Sequence, residues 1–213
     1  MMKDIAVFGA GGFGREIACM IESINEKESI WNFIGFFDDG QEIGTYNELG
    51  VVLGGMDVLN NWDRPLAVVM AIGNPKTLQS LVGRIQNSQI EFPNLIAPNV
   101  VLLDKGSLMM GRGNLICPSS VISCHVQLGD FNLLNVFTQV GHDSILGNYN
   151  VLMPSVNISG GITIGDRNLF GVKSTILQYK SVGNDVILTP GSVLSRNAKD
   201  GKMYLGNPAK VFM

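Results

Sequence analysis

The most chemically suggestive pairing in the chain is His142 followed directly by Asp143. An imidazole titrates near neutrality and is the usual general base at pH 7. A carboxylate beside it can orient the ring and raise its basicity. The same pair also serves as an ordinary surface turn, and the residues alone leave both readings open. A second group is Gly9, Gly11 and Gly14, which match G-x-G-x-x-G between an apolar run, Ile5 to Phe8, and a helical stretch from Arg15 to about Ile24. Glycines let the backbone approach a diphosphate, and a helix N-terminus offers unpaired N–H groups and partial positive charge. The competing reading is a tight strand-to-helix turn that needs glycine for packing. Asp38 and Asp39 end a second apolar run, Phe33 to Phe37, where a carboxylate can meet a ribose hydroxyl or a base edge. Cys124 and His125 form a third reactive pair, readable as a nucleophile and its base or as corner-filling residues.

The elements that must hold these residues are set by a repeat. From Ile116 to Leu194 every sixth residue is aliphatic or aromatic. Six matches neither the 3.6 of an amphipathic helix nor the 2 of a strand. It fits a solenoid in which each hexapeptide is one short strand and three hexapeptides close a triangular coil. The second position is rich in glycine (Gly129, Gly141, Gly147, Gly165, Gly171, Gly183), which is expected to supply positive φ at corners. The fifth position is mostly small or polar, as in Ser120, Asn132, Thr138, Ser144, Asn150 and Asn168, which suits a cramped interior corner. Ile96, Leu102 and Leu108 keep the period upstream, and two extra residues near Gly111 to Gly113 are expected to form a bulge.

Stacking of coils places residues 18 apart above one another. His142 then faces solvent or a neighbouring subunit, with Gly160 above it and Cys124 below. His125 lies below Asp143. Gly160 leaves room for a bound group and exposes a backbone N–H beside the imidazole.

The preceding region alternates strand and helix. A third buried strand, Ala67 to Ile72, ends at Gly73, and a helix is predicted over Thr77 to Gln86. This pattern argues a small parallel sheet covered by helices. The predicted fold is thus α/β plus β-solenoid: a Rossmann-like domain over residues 1–92 and a parallel β-helix over 93–213. The first domain is short for a complete dinucleotide fold, which favours a nucleotide-sugar.

Composition narrows the function. Net charge is -3 with no basic stripe, which argues against nucleic acid. Three cysteines at no metal-ligand spacing read as reduced thiols of a cytoplasmic protein. No apolar run reaches the roughly 18 residues of a membrane helix. A zinc site on stacked coils needs three histidines, and the chain has 2. No metal is expected.

The hexapeptide frame, the His142–Asp143 pair, the short glycine-loop domain and the tail from Gly206 to Lys210 together resemble the NeuD/PglD group of left-handed parallel β-helix acyltransferases. That group includes sialic acid O-acetyltransferases and UDP-4-amino-sugar N-acetyltransferases, and the resemblance covers essentially the whole chain. It implies a homotrimer with active sites between subunits and acetyl-CoA lying along the β-helix. It implies that His142 deprotonates the acceptor and that Asp143, where some relatives carry Glu, makes His142 more basic. Acetyl-CoA contacts fall at Val151, Gly160, Val172 and Pro190; Gly160 matches in type and Val172 in character, while Val151 and Pro190 allow only backbone or shape contacts. Acceptor contacts fall at Gly11, Gly12, Phe13, Asp38, Asp39 and Gly73. Some relatives carry His at the Phe13 position, and a phenyl ring cannot touch a phosphate as imidazole does. The implied reaction is direct acetyl transfer to an amino or hydroxyl group of a sugar or nucleotide-sugar, such as a UDP-4-amino-sugar or a sialic-acid-like acceptor. The alternative is a non-catalytic trimeric scaffold or nucleotide-sugar sensor, which would need the glycine loop but not His142 or Gly160.

Overall fold

A computed structural model describes residues 2–212; Met1 and Met213, the outermost residues of the two expected domains, lie outside the described residues. The first part alternates strand and helix: β1 (Lys3–Phe8), α1 (Gly12–Lys27), β2 (Trp31–Phe37), the short pair β3 (Tyr46–Asn47) and β4 (Gly50–Gly54), α2 (Met56–Asn60), β5 (Leu66–Met70), α3 (Pro75–Arg84) and β6 (Ile90–Glu91). The sheet order is β3-β4-β2-β1-β5-β6, parallel except for the β3–β4 hairpin. Ile5 to Phe8 and all of β5 are buried, as expected for central strands covered on both faces. The chain leaves β1 toward β2 on one side, while β5 pairs on the other. The crevice where ligands bind in such sheets therefore opens at the glycine loop after β1.

Helix α1 begins at Gly12, three residues before the Arg15 start read from the sequence. The low helix propensity of glycine hides this first turn. The three motif glycines have different reasons. Gly9 has φ +110, and a β-carbon on Gly14 would meet the Gly9 carbonyl carbon at 2.8 Å. A β-carbon on Gly11 would meet nothing.

From Leu95 onward the chain winds into a solenoid of two-residue strands and four-residue corners. Three parallel sheets form its faces. Face one contains Leu95–Ile96, Leu115–Ile116, Leu133–Leu134, Val151–Leu152, Leu169–Phe170 and Ile187–Leu188; face two contains Val121–Ile122 and its coil-mates; face three contains Gln127–Leu128 and its coil-mates. Face two has six strands, so the stack is six coils high. The sixth-residue column fills the interior: Ile116, Ile122, Leu134, Leu152, Phe170, Ile176, Leu188 and Leu194 are all fully buried.

Two expectations about this repeat are corrected. Positive φ falls not on the second-position glycines but two residues later, at His125, Phe131, Asp143, Tyr149, Gly161, Tyr179 and their equivalents. The second position needs glycine because the next coil is too close. A β-carbon on Gly141 would sit 2.6 Å from the Gly160 nitrogen, and one on Gly147 would sit 2.8 Å from the Gly165 carbonyl oxygen. The extra residues also lie elsewhere. Met110, not Leu108, pairs with Leu128, so the insertion is the turn between Leu102 and Met109, and the frame is intact across Gly111 to Gly113.

The polar fifth position at the corner between faces three and one forms an internal ladder. Each asparagine side-chain oxygen accepts from the next coil: Asn114 N to Asn94 Oδ1 at 2.8 Å, Asn132 N to Asn114 Oδ1 at 2.9 Å, Asn150 N to Asn132 Oδ1 at 3.0 Å and Asn168 N to Asn150 Oδ1 at 3.0 Å. Their amide groups donate along the same column and to corner carbonyls. Buried polar groups are mostly paired in this way, while Ser174 Oγ at another corner has no partner among the described residues.

At the far end, Ala198 bridges to Val182, and the hairpin Met203–Gly206 with Ala209–Val211 adds to face one. Tyr204 is buried and its hydroxyl accepts from Lys199 N at 2.8 Å, closing the last coil. The two parts join through an apolar seam in which Ala10, Ile17 and Ala71 pack with the outward residues Leu95, Leu115, Leu133 and Val151 of face one, and through a second contact at the corner residue Phe131, whose ring meets Phe92 at 5.0 Å.

Candidate active site

His142 and Asp143 occupy the corner between faces two and three, after Gln139–Val140 and before Ile145–Leu146. The left-handed backbone at Asp143 (φ 57) is one that aspartate tolerates. Asp143 N donates to Cys124 O at 3.1 Å, which anchors the corner to the coil below. The carboxylate Oδ2 lies 2.7 Å from His142 Nδ1. An ionised Asp143 therefore keeps the proton on Nδ1 and leaves the Nε2 lone pair open. The imidazole is half exposed (51%).

Gly160 lies directly above. A β-carbon there would stand 2.6 Å from His142 Cε1 and 2.9 Å from Cδ2, so only glycine leaves the ring its place. Ser144 sets the orientation of the Gly160 peptide. Its hydroxyl, fully buried, donates to Ser159 O at 3.2 Å. A trans peptide points its N–H opposite to its C=O. With the Ser159 carbonyl drawn inward, the Gly160 N–H faces outward beside the imidazole, where it has no hydrogen-bond partner among the described residues. The role of Ser144 was missed in the sequence, where it read only as a small corner residue. His125, the coil-mate of Asp143, shows no side-chain hydrogen bond to it; the His125 backbone N–H donates to Ser107 Oγ at 2.8 Å. Cys124 is partly buried, with Ser123 Oγ 3.9 Å from its sulfur.

The acceptor candidates gather on the other part. Gly11 caps α1 without a side-chain bond, so the first-turn N–H groups at Gly11, Gly12 and Phe13 remain available. Phe13 is half buried against the seam. Asp38 grips the loop from behind, with Oδ2 accepting from Ala10 N at 2.8 Å and Oδ1 from Gly40 N at 2.8 Å. Asp39 turns away: Oδ1 accepts from Met56 N at 2.6 Å at the start of α2, and Oδ2 pairs with Arg84 at 3.3 Å. Gly73 lines a cleft of about 270 Å³ together with Met153, Leu169, Val172, Thr189 and Pro190. The fold thus brings one expected acceptor contact beside two expected donor contacts. Val151 is expected to offer only a backbone or shape contact. It is fully buried in the seam, because it points outward from face one where the first domain covers that face, and it presents no side-chain surface to a ligand.

In a triangular solenoid the corner between faces two and three lies opposite face one. The glycine loop packs on face one and His142 sits on that far corner. Within one chain the two groups face away from each other. Among the described residues, no group of three His, Cys, Asp or Glu is placed to hold a metal ion, and no helix is long and apolar enough to cross a membrane.

Residues 4–85 match the family model of the PglD N-terminal domain. No curated protein matches the sequence. Among solved structures, the acetyltransferase domain of PglB from Neisseria gonorrhoeae FA1090 in complex with acetyl coenzyme A has a TM-score of 0.89 at 25% identity, covering 100% of both chains. WeeI from Acinetobacter baumannii AYE has a TM-score of 0.87 at 27% identity over 100% of both chains. PerB from Caulobacter crescentus, in complex with CoA and GDP-perosamine, has a TM-score of 0.87 over 100% of this chain and 99% of that one; at 24% identity it speaks for the fold.

Proposed function

We propose that this chain, which is of the NeuD/PglD type, is an acetyl-CoA-dependent sugar acetyltransferase acting on an amino or hydroxyl group of a nucleotide-sugar or related sugar, with His142 as general base. The observation that carries this reading is the pairing of an Asp143-held imidazole, Nε2 free, with an outward Gly160 N–H one coil above. The acetyl-CoA complex of the similar PglB domain supports the donor. The GDP-perosamine complex of PerB, alike in fold, is compatible with a nucleotide-sugar acceptor.

In this mechanism the acceptor nitrogen or oxygen attacks the thioester carbonyl carbon while Nε2 of His142 takes its proton. The new imidazolium is held by the Asp143 carboxylate. The carbonyl oxygen becomes an oxyanion that accepts from Gly160 N–H, a contribution of about 3–4 kcal/mol for one well-placed donor. Collapse of the tetrahedral intermediate breaks the carbon–sulfur bond, and the proton on Nε2 passes to the leaving thiolate. No protein-bound acyl group forms. Holding both substrates together supplies the remaining acceleration.

Work divides along the chain. Residues 1–92 hold the acceptor through the N–H groups of Gly11, Gly12 and Phe13, the loop braced by Asp38, and the turn at Gly73. Asp39 is engaged with α2 and Arg84 and acts on this site only by holding its surroundings. Residues 93–213 hold the donor, with Gly160, Val172 and Pro190 beside it. Because His142 and the glycine loop lie on opposite sides of one solenoid, a complete site needs two copies, and a homotrimer supplies three such sites. A soluble donor such as acetyl-CoA is compatible with a reaction in the cytoplasm.

The test is purified protein supplied with acetyl-CoA and a panel of UDP- and GDP-linked amino-sugars, free amino-sugars and sialic acid, with release of free thiol as readout. Light scattering on the same sample should give a trimer mass. Thiol release dependent on one acceptor class supports the reading. Nucleotide-sugar binding with no transfer to any acceptor would turn it toward a sensor, and a fully active monomer would remove the inter-subunit site.

A further inference from the structure

Below His142 the catalytic corner is polar and open. One coil down it carries Cys124 and the exposed His125. Two coils down lies the insertion, the turn between Leu102 and Met109, which is longer by two residues than the corners above it and exposes Leu103, Asp104, Lys105 and Gly106. The insertion therefore sits on the same corner as His142, between faces two and three, at the foot of the solenoid.

This turn changes how His125 is held. Higher on the corner, Asp143, Gly161 and Tyr179 donate their N–H groups to the carbonyls of Cys124, His142 and Gly160 one coil down. His125 donates instead to a side chain of the insertion, Ser107 Oγ, at 2.8 Å. Its backbone is left-handed, φ 55, a conformation that histidine adopts more readily than most residues. The exposed imidazole has no hydrogen-bond partner among the described residues. In the inserted turn, Asp104 Oδ1 accepts from Gly106 N at 3.1 Å and Oδ2 stays open. The Ser107 hydroxyl, the N–H groups of the turn and the His125 imidazole hold the Asp104 carboxyl below the usual carboxylate range, so it is ionised at neutral pH. An imidazole and a carboxylate, both open to a ligand, thus lie beneath the catalytic pair.

Neighbouring coils are about 4.8 Å apart, so His125 lies about 5 Å below the level of His142 and Asp143, and Asp104 about 10 Å below. The first domain packs on face one along Leu95, Leu115, Leu133 and Val151, which belong to the coil of His142, the two beneath it and the one above. With the solenoids of the proposed trimer side by side, a partner's glycine loop stands at these heights. An acceptor held there by its diphosphate reaches Nε2 of His142 at the level of these coils, while the thioester takes the side of Gly160. We propose that His125 and Asp104 form the subsite for the acceptor's sugar ring, the imidazole bonding the hydroxyl next to the reacting carbon and the carboxylate bonding the far edge of the ring. A carboxylate accepts from sugar hydroxyls, and a site built to pair with a hydroxyl rejects an analogue that lacks it. The acceptor class is then a pyranose with a free hydroxyl beside the acetylated position, and the inserted turn sets which sugar is used. This subsite rests on the acetyltransferase reading above and on its inter-subunit site.

The experiment uses His125→Gly, which removes the imidazole and suits the left-handed backbone, and Asp104→Asn, which removes the charge at constant size. Steady-state kinetics is run with the acceptor selected by the thiol-release panel, varying acceptor and acetyl-CoA in turn. KM for the acceptor should rise at least about tenfold in His125→Gly and about fivefold in Asp104→Asn, the scale of one or two lost hydrogen bonds, with KM for acetyl-CoA within about twofold of wild type. An equal rise for both substrates, or no rise for the acceptor, overturns the subsite while leaving the transferase reading intact. Calorimetric titration reads the same subsite without turnover, comparing a GDP-linked 4-amino-sugar with GDP and a UDP-linked 4-amino-sugar with UDP. In wild-type protein the sugar should add affinity over its nucleoside diphosphate; His125→Gly should remove most of that gain and leave the nucleoside diphosphate unchanged. If no acceptor is acetylated, the function reading fails and this binding contrast decides the subsite. A sugar that adds no affinity in the wild type, or a gain that survives His125→Gly, removes it.

Discussion

His142 and Gly160 stand one coil apart, so close that a single methyl group on Gly160 would fall 2.6 Å from the imidazole Cε1. The glycine is thus part of the base's own geometry: it leaves the ring unforced and presents an outward N–H beside it. The obstructing group for a β-carbon is a half-exposed side chain that can swing away. Gly160→Ala should therefore keep a melting temperature close to wild type while turnover falls at least about a hundredfold, the scale of a displaced general base, since alanine keeps the backbone N–H. Loss of stability in step with activity would show that Gly160 matters for packing alone.

His142→Ala should lower kcat by roughly 10²–10⁴ with little change in acetyl-CoA affinity, since the imidazole handles only the proton in flight. Asp143→Asn should lower kcat by a smaller factor, because the carboxylate acts through the 2.7 Å contact to Nδ1. Cys124→Ser should be nearly silent. Steady-state kinetics on the three variants checks this, and mass spectrometry looks for acetyl on the wild-type protein. An acetylated Cys124 together with an inactive Cys124→Ser would replace direct transfer by a covalent route.

The asparagine ladder should dominate the stability of the solenoid. Asn150 bonds Asn132, Asn168 and the carbonyl of Gly165 from a fully buried position. Asn150→Ala strands several buried polar groups at once, each costing about 1–3 kcal/mol when left unpaired. The urea midpoint of this variant should fall clearly, whereas Gln127→Ala, at an exposed strand position, should barely move it.

Burial in the seam pushes the Cys117 thiol up to about 12, with Glu16 adding to the rise. At pH 8 it stays protonated, so maleimide or iodoacetamide should label the exposed Cys19 first and Cys117 only after unfolding. The sign for stability follows. Below pH 9 the thiol is protonated in both states and makes no difference to stability. Between about 9 and 12 the unfolded chain loses the proton and the folded one keeps it, so stability falls as pH rises through that window. Cys117→Ala should shift the alkaline end of the unfolding curve relative to wild type; identical alkaline limbs would show that other groups govern it.

The sequence by itself determined the repeat, the interior column from Ile116 to Leu194, the alternation of strand and helix before it, and the stacking of Gly160 on His142. These features are periodic, and a period of six with an 18-residue coil converts directly into position. It did not determine why the corner glycines are needed. Positive φ and close approach both select glycine, and only the separation between Gly141 and the Gly160 nitrogen decides for approach. Nor did it locate the two-residue insertion, because Leu108 and Met110 are both apolar and either can occupy the interior column. Val151 and Asp39 were read by position in a pattern; which side of a strand is covered by another domain, and which backbone N–H a carboxylate meets, are decided by packing across the chain. The same holds for the placement of the glycine loop on face one and His142 on the opposite corner. Each motif is local, but the face on which a separate sheet docks depends on the seam of Ala10, Ile17 and Ala71 against Leu115, Leu133 and Val151, contacts between residues far apart in the chain that carry no periodic signature.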